Sequence, residues 1–435
     1  MSKSNFSRRK FLGTSVLSAV GLSALPGLSF GQNETAIVDS SKVRLGFIGV
    51  GRQAMGLLRN MMNNPLVDVV AGADVYQIKL DRFKERVAKH YKDVKREAPA
   101  LKVYVDYKEL LGNPDVDAVI IASPDHWHAM MAIDSCIANK DIYLEKPLTF
   151  TIHEGKELVK AVRSKGTVLA VGSMQRSAAN FQHAARMVQK GMLGEIKQVL
   201  VNVGTPPHPK PYDLPAQPIP PELDWESWTG PLPDIHYNEE LDPPITLNPE
   251  ENEKVWGAWR WYKETGGGLM TDWGAHMIDI AQWGLGMDRN GPVEIIPGDE
   301  STPLTYKYAD GVEMLITTFD EGKQGVKFIG DKGWIKVSRG EYDTNVPACE
   351  RKFSKEELGY QAHHIDFIHS VITRKDPIVP VEIGHSSCTA CTLGNIAHEL
   401  GRPLKWDPIA QVFKDDWEAN TKLHYTYQHG YSLNA

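Results

Sequence analysis

The N-terminal part of the chain shows two alternating patterns of apolar residues. From residue 43 to about residue 172, short apolar runs alternate with stretches that place an apolar residue every three or four positions. The runs read VRLGFIGV, VDVVAGADV, VDAVIIASP, DIYLEK and TVLAVGS. Near-continuous apolar strands separated by helices are typical of a parallel sheet covered on both faces. We therefore predict a doubly wound α/β domain over residues 43–172.

The apolar pattern changes after residue 172. A helix over SAANFQHAARMVQKGMLGEI is followed by a strand, and a further helix is predicted to start near Thr271. Beyond it, alternating apolar and polar residues indicate strands joined by tight turns such as Ala309-Asp310-Gly311. These features predict an α+β C-terminal domain over residues 173–410, with a largely antiparallel sheet, and a C-terminal tail over residues 411–435.

Residues 205–256 form a proline-rich excursion within this second domain. Thirteen of the 27 prolines lie between Pro206 and Pro249, and neither apolar period is sustained there. The segment is too rich in tryptophan and tyrosine for a typical disordered linker. We expect it to cover a binding site or a subunit interface, and structural packing alone explains the pattern equally well.

Residues 1–31 have the features of a cleavable signal peptide. A basic segment precedes an apolar stretch and small residues near Ser29. The basic segment, with Arg8 and Arg9 at its centre, resembles the twin-arginine signal, which exports folded proteins. A short membrane anchor is the alternative, but glycine and proline interrupt the apolar stretch. We therefore expect a periplasmic or otherwise exported protein with no membrane attachment after cleavage.

Composition narrows the classes of partner and cofactor. The net charge is -7 at pH 7 and no basic run follows the N-terminus, which argues against nucleic-acid binding. Cys388 and Cys391 have C-x-x-C spacing within a predicted helix, but no second pair of ligands accompanies them. We expect buried structural thiols and no metal site.

The first strand leads into the glycine motif Gly49-Val50-Gly51-Arg52-Gln53-Ala54, and a helix follows. Glycines at this point allow the backbone to approach a pyrophosphate bound at the helix N-terminus. Asp74 ends the second strand about 25 residues further on, where it would bind the adenosine ribose and repel a 2'-phosphate. NAD is therefore the predicted cofactor. NADP remains an alternative because Arg52 could bind the extra phosphate, and a tight turn beside a solvated aspartate is the non-functional interpretation.

Polar residues also follow the fourth and fifth strands, in SPDHWHA and in Glu145-Lys146-Pro147. Ligands of an open parallel sheet bind beyond the carboxyl ends of the strands, so these residues are predicted to flank one cleft. We assign the following residues to cofactor binding: Gly49, Gly51, Arg52, Gln53, Asp74, Ser123, Pro124, His126, His128, Glu145 and Lys146.

The segment GGGLMTDWGAHMIDIAQWGLG carries a candidate general base. A helix that begins near Thr271 places Asp272, His276, Asp279 and Trp283 on one face. A histidine between two carboxylates is suited to proton transfer, because the anions orient the ring and stabilise its protonated form. Asp272 could instead simply cap the helix.

Taken in order, these motifs resemble those of the Gfo/Idh/MocA oxidoreductase family, over about residues 43–410. The matching elements are Gly49-x-Gly51-x-x-Ala54, Ser123-Pro124-x-x-x-His128, Glu145-Lys146-Pro147 and Gly268-x-x-x-Asp272-x-Gly274-x-His276-x-x-Asp279. The resemblance implies a Rossmann domain followed by a C-terminal α/β domain whose open sheet often supports homo-oligomers. It also implies hydride transfer between a nicotinamide and a hydroxyl carbon of a sugar, glycoside or cyclitol.

Roles for individual residues follow from the resemblance. Lys146 would bind the reacting hydroxyl and stabilise its developing oxyanion, His276 would take the proton, and Asp272 would position substrate and base. Independently of the resemblance, the aromatic segment before the helix could stack on sugar rings, although ordinary packing explains it at least as well. With the residues that follow the last Rossmann strand and Asp279 of the helix, the predicted substrate contacts are Gln175, Arg176, Trp259, Arg260 and Asp279.

Export also bears on the cofactor. No free nicotinamide pool would refill a dissociable site outside the cytoplasm, so we expect the enzyme to hold NAD tightly and to reset it in each cycle. The leading hypothesis is an exported carbohydrate oxidoreductase. The alternatives are an NAD-assisted glycoside hydrolase or lyase without net redox change, and a non-catalytic carbohydrate-binding protein.

Overall fold

The computed structural model describes residues 42–243 and 256–433. The predicted signal peptide, residues 244–255 of the proline-rich excursion and the last two residues of the tail lie outside the described residues.

The N-terminal sheet has six parallel strands in the order β3-β2-β1-β4-β5-β6. The strands are β1 (Val43–Ile48), β2 (Val67–Ala73), β3 (Lys102–Tyr104), β4 (Ala118–Ile121), β5 (Asp141–Leu144) and β6 (Leu169–Val171). The helices between them are α1 (Arg52–Met62), α2 (Gln77–Asp93), α3 (Tyr107–Gly112), α4 (Asp125–Ile137) and α5 (Ile152–Lys165). The prediction of a doubly wound domain is confirmed.

Both faces of this sheet are buried, which explains the near-continuous apolar runs. Ala118 and Ile120 of β4 pack into the cluster beneath α1 and α2, whereas Val119 and Ile121 pack into the cluster beneath α4 and α5. Successive side chains of a strand point to opposite faces, so a strand covered on both sides needs apolar residues at every position.

The second sheet has nine strands in the order β13-β12-β11-β7-β10-β9-β8-β14-β15. The strands are β7 (Ile196–Asn202), β8 (Glu294–Ile296), β9 (Leu304–Lys307), β10 (Glu313–Ile316), β11 (Gly325–Gly330), β12 (Gly333–Ser338), β13 (Glu341–Thr344), β14 (Leu404–Asp407) and β15 (Val412–Phe413). The pair β7–β10 is parallel and the other pairs are antiparallel. The predicted largely antiparallel sheet is therefore confirmed.

Helices cover one face of the second sheet. The remaining α-helices are α6 (Ala179–Gln189), α7 (Trp225–Thr229), α8 (Gly268–Asp272), α9 (Gly274–Gly284), α10 (Gln361–Thr373), α11 (Val381–Leu400) and α12 (Trp417–Thr421). Short 3₁₀ turns span Met174–Ser177, Ala258–Trp261, Asp320–Gly322 and Pro347–Cys349. Val199 and Val201 of β7 are buried under these helices, whereas Gln198 and Leu200 at the alternate positions are partly exposed. This alternation is the signature of a sheet that is covered on one side.

The predicted helix near Thr271 begins earlier and is broken. α8 starts at Gly268 and ends at Asp272, and α9 starts at Gly274. Gly268 has φ of +67° and lies so close to the excursion that a Cβ atom there would be 2.6 Å from the backbone nitrogen of Pro209. The Met270 amide also donates to the Pro207 carbonyl at 2.8 Å. Contact with the excursion therefore determines where α8 begins.

The excursion is attached to the first turn of α2. The Gln77 amide donates to the Glu222 carbonyl and the Asp224 amide donates to the Val75 carbonyl, each at 3.0 Å. Lys79 on α2 also forms a buried ion pair with Asp242. The excursion thus packs beside the end of β2, where Asp74 lies.

The four cysteines are buried free thiols, as predicted. Cys388 and Cys391 lie on α11, and the Cys388 thiol donates to the Thr149 carbonyl at 3.1 Å. Within the ranges that the structure describes, no helix combines the length and the apolar character needed to cross a bilayer.

We expect Lys79→Ala to lower the free energy of unfolding by about 3 kcal/mol, because it leaves the Asp242 carboxylate buried without its partner. Urea denaturation measures the loss. Lys89→Ala on the same helix, whose partner Asp93 is solvent-exposed, should leave stability nearly unchanged. Combining Lys79→Met with Asp242→Leu should recover most of the loss; a double variant as unstable as Lys79→Ala would contradict this account.

Candidate cofactor and catalytic site

The turn after β1 is shaped to approach a phosphate group. Gly49 has φ of +76°, and a Cβ atom there would lie 2.7 Å from the backbone nitrogen of Ser123. Gly51 stands at the N-cap of α1, and a Cβ atom there would meet no other atom within 4 Å. The N–H groups of the first turn of α1 can therefore bind a pyrophosphate, which fits the group that the motif predicts.

Asp74 is oriented by backbone amides. Its carboxylate accepts hydrogen bonds from the Val50 amide at 2.8 Å and the Tyr76 amide at 3.0 Å. Burial raises the pKa of Asp74, although nearby Lys79 opposes this shift. Asp74 lines a cavity of about 610 Å³ together with these other predicted cofactor residues: Gly49, Gly51, Arg52, Gln53, Ser123 and Pro124. The structure thus brings the dinucleotide motif and the carboxylate predicted to bind the ribose into one cavity.

Three other predicted cofactor residues support the walls of the site. His128 is buried with Nδ1 2.7 Å from the Pro147 carbonyl and Nε2 3.0 Å from the Ser123 carbonyl. His126 lies with Nε2 3.0 Å from the Trp228 carbonyl, and burial lowers the pKa of each histidine to about 4. Glu145 accepts a hydrogen bond from Gln53 Nε2 at 2.8 Å. These side chains link the ends of β4 and β5 to α1 and to the excursion.

A second cavity of about 470 Å³ adjoins the first. Its walls include the three predicted catalytic residues Lys146, Asp272 and His276. The two cavities share lining residues from both parts of the molecule, namely Gln53, Ala122, Ser123, Trp256, Trp259 and Arg260. The second cavity, which we call the catalytic cleft, is therefore continuous with the dinucleotide cavity.

Lys146 and Asp272 form an ion pair across the cleft. Lys146 Nζ lies 2.6 Å from Asp272 Oδ1 and 3.1 Å from the Asp272 carbonyl oxygen. Arg260 Nε lies 3.7 Å from the same carboxylate. Burial disfavours the ionised form of Asp272, but the two cations outweigh burial and lower its pKa. The Lys146–Pro147 peptide bond that follows β5 is cis.

The surroundings of His276 differ from the prediction. Burial lowers the pKa of His276 well below its usual range, and the charges of Lys146 and Arg339 lower it further. Gln175 lies beside the His276 ring, with its amide nitrogen 2.6 Å and its amide oxygen 3.2 Å from Nδ1. The same oxygen accepts hydrogen bonds from the Arg339 guanidinium at 2.9 and 3.0 Å. The histidine is therefore held neutral by burial and by two cations instead of being charged between two carboxylates.

Arg176 and Asp279 do not reach the cleft. They form a buried ion pair with contacts of 2.8 Å, and Arg176 also binds Asp288 at 2.7 Å. Ser387 donates to the Asp279 carboxylate at 2.6 Å, and Trp283 lies over Arg176 at 5.0 Å. These partners occupy both side chains, so the geometry does not support the predicted substrate contacts.

The other predicted substrate residues do meet at the site. Trp259 and Arg260 line the cleft, and the Arg260 guanidinium lies 4.2 Å from the Trp259 ring centroid. Trp256 and Trp261 line the same wall. Gln175 lies behind His276.

Sequence reasoning missed Asp125 and Arg339, which both line the cleft. Burial raises the pKa of Asp125 to about 7, even though Lys146 and Arg260 oppose the shift. Asp125 directly follows Pro124 after β4, so the rule that placed its neighbours at the cleft could also have found it. Arg339 follows β12 in a hairpin turn, where the local sequence carries no comparable signal.

A dinucleotide cavity that opens onto a lysine, a carboxylate and a histidine is the site of an NAD-binding Rossmann protein. Residues 43–173 match the family model described as "Oxidoreductase family, NAD-binding Rossmann fold". Residues 177–433 match the model described as "Oxidoreductase family, C-terminal alpha/beta domain". The chain belongs to the Gfo/Idh/MocA oxidoreductase family.

Curated relatives match only part of the chain. An alpha-N-acetylgalactosaminidase from Shewanella oneidensis is 31% identical over 185 residues, which are 41% of this chain and 39% of the relative. The uncharacterized oxidoreductase YrbE from Bacillus subtilis is 31% identical over 155 residues, 36% of this chain and 42% of the relative. The matched part thus spans about two fifths of the length of these relatives.

Solved structures share the fold over most of the chain. The WlbA dehydrogenase from Bordetella pertussis, in complex with NADH and UDP-GlcNAcA, has a TM-score of 0.59 at 17% identity and covers 85% of this chain and 99% of its own. The aldose-aldose oxidoreductase from Caulobacter crescentus, complexed with glycerol, has a TM-score of 0.56 at 17% identity, with coverages of 84% and 99%.

Replacing Gln175 by glutamate should raise the pKa of His276 by about one to two units, because a carboxylate beside Nδ1 favours the protonated ring. The ring of the variant then becomes protonated at a higher pH than the ring of the unmodified protein, so activity that requires the neutral ring is lost at that higher pH. The acid limb of kcat/KM against pH should move upward by the same amount.

The exposed Gln189 provides a matched control, since Gln189→Glu places the same charge away from the cleft and should leave the acid limb in place. Carbon-13 chemical shifts of the His276 ring report its titration independently of activity. An unchanged acid limb in Gln175→Glu would show that His276 does not control the profile.

Proposed function

We propose that this protein is an exported oxidoreductase that transfers hydride between tightly held NAD and a hydroxyl carbon of a sugar, glycoside or cyclitol. The observation that carries the proposal is the convergence of Lys146, Asp272 and His276 in a cleft that is continuous with the dinucleotide cavity. A nicotinamide bound there supplies or accepts the hydride.

The cleft residues divide the remaining work. The Lys146 ammonium, held 2.6 Å from Asp272, binds the reacting oxygen and stabilises its developing negative charge. Neutral His276 accepts the hydroxyl proton at Nε2, and its Nδ1 lies beside the Gln175 amide, 2.6 Å from the nitrogen and 3.2 Å from the oxygen. In the reverse direction the His276 imidazolium donates the proton readily, because the positive charges around the ring destabilise its protonated form.

The substrate class follows from the aromatic wall. Trp256, Trp259 and Trp261 line one side of the cleft, and Arg260 lies between two of their rings. Indole faces pack against the apolar C–H faces of a sugar ring, and a guanidinium donates hydrogen bonds to its hydroxyl groups. A polyhydroxylated ring therefore suits this wall better than a purely apolar substrate.

Export through the twin-arginine route belongs to the same proposal. It is supported by the basic and apolar segments of residues 1–31. An exported enzyme folds around its cofactor and must restore the oxidation state of the cofactor within each cycle. It can do so by reducing a second substrate or by reducing the oxidised substrate again. We also expect the open face of the nine-stranded sheet to support a homo-oligomer.

Glycoside cleavage without net redox change is the second candidate, and the buried Asp125 favours it. A carboxyl with a pKa of about 7 can remove one proton and deliver another at neutral pH. Oxidation of a ring hydroxyl to a carbonyl acidifies the neighbouring C–H. Loss of that proton would expel the glycosidic oxygen, which would leave protonated. Water would then add at the former glycosidic carbon, and reduction of the carbonyl by the bound cofactor would restore the hydroxyl. The N-acetylgalactosaminidase relative supports this candidate.

Denaturing the purified protein and identifying the released nucleotide tests the cofactor part of the proposal, and we expect NAD. Lys146→Met should reduce kcat by about 10³-fold, because it removes the charge that stabilises the reacting oxygen. The exposed Lys156→Met serves as the control and should keep full activity. Full activity in Lys146→Met would show that catalysis takes place at a different site. No turnover by the unmodified protein would favour the carbohydrate-binding alternative.

Incubation with a glycoside and no added acceptor separates the two enzymatic candidates. Release of free sugar in many turnovers would establish redox-neutral cleavage, and Asp125→Asn should then slow it by about 10²-fold or more. A net oxidoreductase should stop after a single turnover and resume when an acceptor is added. Chromatography of the sugars measures both outcomes.

A further inference from the structure

The last described segment of the chain, residues 424–433, returns to the N-terminal domain, and we call it the tail strap. It begins beside the N-terminus of α5, where His424 Nδ1 lies 3.1 Å from the Thr151 hydroxyl. Tyr427 then donates from its hydroxyl to Glu154 Oε1 at 2.5 Å. Glu154 is fully buried and forms the capping box of α5 with Thr151. A buried carboxylate thus anchors the middle of the strap.

The end of the strap lies against α4 and the excursion. The Gln428 amide donates to the Pro231 carbonyl at 3.0 Å. The Tyr431 ring packs edge-on against Trp127, with centroids 5.5 Å apart and planes at 87°. Trp127 in turn donates from Nε1 to the Trp228 carbonyl at 2.9 Å. Strap, helix and excursion are therefore joined around Trp127.

Tyr431 and Trp228 line the dinucleotide cavity. From the glycine turn the cavity passes Asp74 and reaches the turn between β3 and α3, which includes Tyr104 and Tyr107. The Asp74 amide donates to the Tyr104 carbonyl at 3.2 Å, so these two strand ends are adjacent. If the glycines bind the pyrophosphate and Asp74 binds the ribose, the base lies beyond Asp74, in the part of the cavity with these aromatic residues.

We propose that the tail strap is part of the cofactor site, with Tyr431 and Trp228 closing over the adenosine half of the bound dinucleotide and slowing its release. The inference rests on the proposed function in assuming a retained NAD. It adds binding residues that lie outside the strand–glycine–helix motif. Aromatic side chains that contact a planar base contribute by stacking and by excluding water, so loss of one such ring weakens binding about 10- to 100-fold.

The test uses the full chain and NADH fluorescence. Protein loaded with NADH is mixed with excess NAD, and the fluorescence decay gives the dissociation rate. Tyr431→Ala should release NADH about 10- to 100-fold faster than the unmodified protein and should carry less nucleotide after gel filtration. Tyr431→Phe keeps the ring and should behave like the unmodified protein. Trp417→Ala removes an aromatic side chain that is 82% exposed and should also change nothing.

A second variant separates the anchor from the ring. Tyr427→Phe removes the hydrogen bond to Glu154 and should accelerate release to a smaller extent while leaving Tyr431 in place. Circular dichroism of each variant shows that it is folded. Release from Tyr431→Ala at the unmodified rate would overturn the inference and leave the proposed function intact. Failure of the unmodified protein to bind NADH would instead overturn the proposed function.

Discussion

The ion pair between Lys146 and Asp272 joins the two halves of the catalytic cleft. Lys146 follows β5 of the parallel sheet, and Asp272 ends α8, which packs with the helices of the second sheet. Neither side chain is exposed enough for water to replace its partner, so each charge depends on the other. The cleft therefore forms only when both domains are folded and correctly aligned.

Among the described residues, three cationic and three acidic side chains line the catalytic cleft. Lys146, Arg260 and Arg339 line the cleft with Asp272, while burial raises the pKa of Asp125 and Glu145. This arrangement keeps His276 neutral and favours negative charge on an oxygen bound at Lys146. Such a field activates a hydroxyl group, because it stabilises the negative charge that develops on the oxygen as the proton leaves.

The proline-rich excursion and the tail strap both lead to the dinucleotide cavity. The excursion pairs with the backbone beside Asp74 and supplies Trp228, and the strap supplies Tyr431. The sequence left open whether the excursion covers a site, an interface or neither. Its residues in the cavity wall favour the first interpretation, and a wall built from distant segments is suited to a cofactor that stays bound.

The sequence by itself determined the parts of this protein that depend on local spacing. Alternating apolar runs, the glycines after β1 and the polar residues after β4 and β5 predicted the parallel sheet and the side chains at its edge. Periodicity also placed Asp272 and His276 about one helical turn apart, although the structure divides the predicted helix between them at Trp273.

Only the tertiary structure decided which groups surround them, because Gln175, Arg339 and the tail strap come from segments far apart in the chain. It also showed that Asp279 pairs with Arg176. A buried carboxylate needs an oppositely charged partner, and the helical pattern alone does not identify a partner from another segment of the chain.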